Sequence, residues 1–114
     1  MLGLSSSYRY FLFNGTVNMQ KGIFGLSAVV REQMKENPAN PSNVYIFMSA
    51  NRRIVKILHY ERGCFVLYEK RPVHGKFKKL LFDTKTQSYQ ISWADIVSLT
   101  EDLVVSEMKV RSIG

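Results

Sequence analysis

Along residues 44–82 the chain sets short apolar and aromatic runs against polar, glycine-bearing breaks. The runs VYIFM, IVKILHY, CFVLYEK and KFKKLLF are rich in Val, Ile, Tyr and Phe, which fit a pleated, half-buried surface. The breaks are SANRR, ERG and PVHG. Glu61-Arg62-Gly63 suits a three-residue hairpin closed by Gly63 in the left-handed region. PVHG is a second turn, with Pro72 early and Gly75 late. The pattern predicts four antiparallel strands joined by tight turns, which the rest of the chain must cover or extend.

Before that stretch, residues 1–7 read as a loose end, and YRYFLF at 8–13 is an aromatic strand candidate followed by an Asn14-Gly15 turn. From Asn18 the period lengthens. Met19, Ile23, Leu26, Val30 and Met34 recur at steps of three and four, which puts one apolar stripe on a helix spanning 18–36. Asn18 is the expected N-cap, and the helix must stop before Pro38. Gly22 and Gly25 lie on one flank, where close contact with a sheet is expected. ENPANPSN is a loop. After Phe82, DTKTQS reads as a turn and YQI as a short last strand. Ser92 then opens a second helix, spanning 92–107, with Asp95 completing a capping box. Trp93, Ile96, Val97, Leu99, Thr100, Leu103 and Val104 form its apolar face, and a basic tail follows. The expected fold is a single α+β domain over 1–114: an antiparallel β-meander of four to five strands with two α-helices packed on one face.

A length of 114 residues suits one domain with one core. No apolar run approaches the ~20 residues of a membrane span, and the N-terminus lacks the basic start and cleavage site of a secretory signal. The single cysteine, Cys64, excludes an intramolecular disulfide and reads as a buried small hydrophobe. A cytoplasmic location follows as the default. The charge is more informative. Sixteen Lys and Arg stand against nine Asp and Glu, a net of +7. Between Arg52 and Lys85 ten basic residues face three acids, so the whole excess lies on the meander. That favours a polyanionic partner.

Enzyme chemistry is not visible. Cys64, His59 and His74 have no metal-ligand spacing, and His59 reads as a partly exposed cross-strand residue. His74-Gly75-Lys76 fails as a phosphodiesterase motif, because Leu81 stands where its aspartate belongs. A metal-dependent nuclease needs carboxylates held together, and the meander offers only Glu61, Glu69 and Asp83. Glu69 pairs more simply with a basic neighbour across strands. No glycine-rich phosphate cradle exists, so neither cofactor nor metal is expected. The remaining signal is cations among aromatics: Arg52, Arg53, Lys56, Arg62, Lys70, Arg71, Lys76 and Lys78, with Tyr60 and Tyr68. Such residues neutralise phosphates. A solvated outer face whose cations guard against edge-to-edge aggregation is the plainer use of the same residues.

Two blocks carry a family likeness. VNMQKGIFGL at 17–26 and NRR, IVKILHY, ERG and FVLYEKRPVHGKF within 51–77, followed by ISWADIVSL at 91–99, occur in this order. In this the chain resembles the accessory proteins encoded by the second reading frame of the bacterial insertion-sequence group sixty-six, called TnpB (distinct from the RNA-guided nuclease of that name). Asn18, Gln20, Glu61 and Pro72 depart from that pattern, which has Asp, Arg, Asp and Leu there. The resemblance implies a non-catalytic partner of a transposase, needed for efficient transposition. Joined to the charge pattern, it gives an expected role in binding transposon DNA or the transposase–DNA complex through the eight cations above. The alternative is a protein–protein adaptor that grips the transposase without touching DNA, and a nuclease is the third reading. Partners are thus transposon DNA, the cognate transposase and other element-encoded proteins, with no membrane. A homo-oligomer through the aromatic edge strand is compatible with the pattern.

Overall fold

The computed structural model describes residues 4–78, 88–101 and 103–104. The elements run β1 (Arg9–Phe13), α1 (Ile23–Glu32), β2 (Asn43–Met48), β3 (Val55–Glu61), β4 (Cys64–Lys70), β5 (Lys76–Phe77), β6 (Ser88–Ile91), α2 (Trp93–Glu101) and β7 (Leu103–Val104). Five strands form one sheet in the order β4-β3-β2-β1-β6, while β5 and β7 pair separately. The fold is α+β.

The sheet is mixed, not a plain antiparallel meander. β2, β3 and β4 pair antiparallel as expected, but β1 runs parallel to β2 with Tyr10 opposite Val44 and Leu12 opposite Ile46. The cause is the connection: residues 14–42 carry α1 as a crossover, which returns the chain in its original direction. β6 then pairs antiparallel on the far side of β1, so the first strand lies inside the sheet. Lys76–Phe77 does not extend the meander but pairs with β7. Pro72 withholds a ladder donor after β4, and Phe77 instead donates its amide to the Arg52 carbonyl at 2.8 Å and is buried.

The helices cover opposite faces rather than one. Leu26, Val29, Val30 and Met34 from α1 and its end pack on Phe11, Phe13, Tyr45, Phe47 and Leu58. On the other face Ile96 and Leu99 of α2 pack with Tyr10, Leu12, Val44, Ile46, Val55 and Ile57. The two sets alternate along β1, β2 and β3, as side chains of a strand must. This double cover explains why β2 and most of β3 are buried continuously. Unbroken apolar runs such as VYIFM are the mark of strands covered on both faces.

Local details follow from turn chemistry. The β3–β4 connection is a two-residue turn, Glu61 opposite Cys64, with Arg62 at φ 50° and Gly63 at φ 78°. Positive φ at both positions matches the right-handed strand twist. Cys64 is exposed beside this turn, not buried. α1 begins at Ile23, later than expected, with Gly22 at its N-cap. Asn18 instead closes a turn of its own: its Oδ1 accepts from the Gln20 amide at 2.8 Å and its carbonyl from Lys21 at 3.0 Å. The helix also ends early. Lys35 sits at φ 59° and the Glu36 amide reaches back to the Val30 carbonyl at 3.1 Å, a left-handed cap that stops the helix before Pro38 can. A Cβ on Gly22 would meet nothing and one on Gly25 only the Lys21 side chain, so neither glycine marks a sheet contact.

α2 carries the expected capping box: the Asp95 amide donates to Ser92 Oγ at 3.1 Å and the Ser92 amide to Asp95 Oδ2 at 3.3 Å. It ends at Glu101, short of 107, because residues 103–104 pair with β5. Residues 4–8, before β1, are not loose. Leu4 is buried and the Tyr10 hydroxyl donates to the Ser5 carbonyl at 2.5 Å. Burial pushes the Tyr10 phenol up to about 12. The expected end of the fourth strand at 79–82, the turn through 87 and the basic tail lie outside the described residues.

Candidate functional site

Strand register decides which cations can act together. β3 begins where β4 ends, since Val55 pairs with Lys70 and Glu61 with Cys64. Residues 49–54, the end of β4 and β5 therefore share one end of the sheet, where the parallel strands β1 and β2 also terminate. Arg52, Arg53, Lys70, Arg71, Lys76 and Lys78 gather there. Arg62 lies at the opposite end, six strand steps or about 20 Å away.

Lys56 is different in kind. It sits in the interior strand β3 and is only 6% exposed. Its ammonium donates to the Met19 carbonyl at 2.6 Å and the Lys21 carbonyl at 3.0 Å, and lies 3.6 Å from Glu69 Oε1. It is a clamp holding the 14–22 segment onto the sheet, with no donor aimed at solvent phosphate. The two sequence blocks thus meet physically: the lysine of IVKILHY grips the backbone of VNMQKG. A lysine inside an unbroken apolar run was the available signal, because lysine is rarely buried without partners.

At the basic end the cations differ in availability. Arg71 Nε donates to Glu69 Oε2 at 2.7 Å, and Lys70 Nζ to Glu101 Oε2 at 3.0 Å. The Arg71 hydrogen bond, with the nearby charge of Arg71 and Lys56, holds the Glu69 carboxyl below its ordinary value. Glu69 also faces Lys56 directly across the strands, the cross-strand pairing the sequence suggested. Arg52, Arg53, Lys76 and Lys78 have no carboxylate partner among the described residues.

Between β1, β2 and α2 this end opens into a pocket of about 500 Å³, lined by residues 12–16, residues 48–50, Arg52 and Leu99. Sequence reasoning did not find it, because its walls come from strand ends that pairing alone brings together. The loop bearing Arg52 is tightly tied. Ser49 Oγ accepts from the amides of Arg53 at 3.1 Å and Ile54 at 3.0 Å, and the Arg52 amide donates to the Ser49 carbonyl at 3.0 Å.

Among the described residues Glu61 and His59 lie apart from this end. Glu61 and Glu69 lie at opposite ends of the β3–β4 hairpin, about 17 Å apart along the strands, too far to share paired cations. Among the described residues no three His, Cys, Asp or Glu side chains gather where they could hold a metal. His59 is buried, not part-exposed: its Nδ1 lies 3.1 Å from the Asn43 carbonyl, and its ring packs edge-on to Tyr8 at 4.7 Å. No helix among the described residues is long and apolar enough to cross a membrane.

Compared with known proteins, the chain matches the family model described as IS66 Orf2 like protein over residues 8–110. No curated protein and no solved structure matches it. The match spans both sequence blocks, the crossover between them and the closing helix.

Proposed function

Because the chain belongs to the IS66 Orf2-like family, and so has an accessory role tied to insertion-sequence elements, we propose that it binds transposon DNA through the basic end of its sheet. The observation that carries this reading is the gathering of Arg52, Arg53, Lys76 and Lys78 beside strand ends, with no carboxylate partner among the described residues. Lys70 and Arg71 stand at the rim, each lent to an acid that a phosphate can displace. Lys56 drops out of the contact set because it is buried and engaged, and Arg62 because it lies at the wrong end. The protein acts here as a non-catalytic factor that holds DNA for its cognate transposase.

One observation favours the adaptor reading. Phe24 on α1 is 85% exposed and Val73 92%, large apolar side chains that suit a protein partner. The two readings separate in one experiment. Purified transposase and labelled duplex are offered separately to wild-type protein and to Arg53→Glu/Lys78→Glu. Duplex binding lost in the double variant supports DNA contact; transposase capture without DNA, lost on Phe24→Ser and indifferent to the charge reversal, supports the adaptor.

A further inference from the structure

The pocket at the basic end has features that simple phosphate tracking does not need. Its polar rim comes from Asn14, Thr16 and Arg52, and its apolar wall from Leu12, Met48 and Leu99. It lies at the carboxyl ends of two adjacent parallel strands joined by a helical crossover, the place where open α/β sheets hold ligands. Its volume falls within the roughly 300–1,000 Å³ of small-molecule sites.

Arg52 is the second observation. It holds φ 59°, a left-handed conformation that glycine or asparagine adopts far more readily than arginine. The conformation is fixed from both sides, by its amide on Ser49 and its carbonyl on the Phe77 amide. No described residue gives its guanidinium a partner. As at Arg62, the hairpin turn itself asks for this conformation, and the tied turn keeps Arg52 on the pocket wall.

We propose that this pocket receives one unstacked nucleotide of single-stranded DNA, its phosphate on Arg52 and its base or sugar against Leu12, Met48 and Leu99. Arg53, Lys76 and Lys78 carry the flanking phosphates. An apolar wall beside an arginine fits a nucleotide pulled from its stack, since every base offers a face to pack and its nucleotide a phosphate to pair. The proposal rests on the DNA reading above and deepens it: the protein recognises an unpaired strand, as at an opened element end.

The test is methyl-resolved NMR of the full-length protein, titrated with dAMP and then with a short single-stranded oligonucleotide. Saturating shifts of the Leu12, Met48 and Leu99 methyl signals are expected. Arg52→Gly removes the side chain at a position where glycine is unstrained, so the fold stays intact while affinity falls about tenfold or more. Arg52→Asn, which also tolerates the left-handed region, repeats the test. Shifts absent from these methyls, unaffected by both variants, or produced by an acidic peptide but not by dAMP overturn the pocket assignment. Salt-dependent duplex binding without those shifts overturns the pocket and leaves the DNA reading standing. Loss of binding to every form of DNA overturns both.

Discussion

Lys56 shows how far a residue's meaning depends on its neighbours. As one of ten cations in a basic stretch it reads as a phosphate ligand; in the fold it clamps two backbone carbonyls. Lys56→Met should leave both carbonyls without their donor and uncouple the crossover from the sheet. A loss of about 1–3 kcal/mol in urea-unfolding free energy is expected, with DNA affinity at low temperature unchanged. A selective loss of affinity in a fully stable variant would restore Lys56 to the contact set. Glu69 permits a test by pH. Arg71 and Lys56 depress its folded pKa, so their stabilisation is fully present above the ordinary carboxylate value and is lost as pH falls through the lowered one. The stability gap between wild type and Arg71→Ala should therefore close on acidification. A gap independent of pH would mean that Arg71 stabilises by packing, not by charge.

At the scale of elements, local signals were readable and long-range ones were not. The Ser92–Asp95 box closes as its residues demand, and Ser92→Ala should cost about 1 kcal/mol by urea unfolding because the Asp95 amide loses its acceptor. The β2–β3–β4 pairing and the apolar stripe of α1 could likewise be read from spacing. Three things could not. The direction of β1 depends on what fills residues 14–42, and a strand's own sequence carries no sign of direction. The start of α1 is not legible, because Asn18 satisfies a turn as well as it would a helix end. The face each helix covers is fixed by which parity of strand side chains it meets; the unbroken apolar runs of β2 and β3 held that information, as strands buried on both sides. The candidate site was half visible. Its cations stand in the sequence, but their division between two sheet ends, and the pocket beside one of them, exist only once the register is set.

At the scale of the whole molecule, the expected contact cations divide unevenly between the two ends of the sheet. Arg52, Arg53, Lys76 and Lys78 share the first, with Lys70 and Arg71 at its rim, while Arg62 lies at the second, the end where Arg9 opens β1. Fluorescence anisotropy of a labelled duplex carrying the element's terminal repeat, measured at several salt concentrations, tests the assignment most directly. The logarithm of the binding constant should fall linearly with that of salt, by roughly 0.9 per phosphate contact. Arg53→Glu/Lys76→Glu/Lys78→Glu should flatten that slope by about two to three units, and Arg62→Glu should leave it nearly unchanged. No binding at low salt, or a slope that Arg62→Glu flattens as much as the triple variant, would contradict DNA contact through the basic end of the sheet.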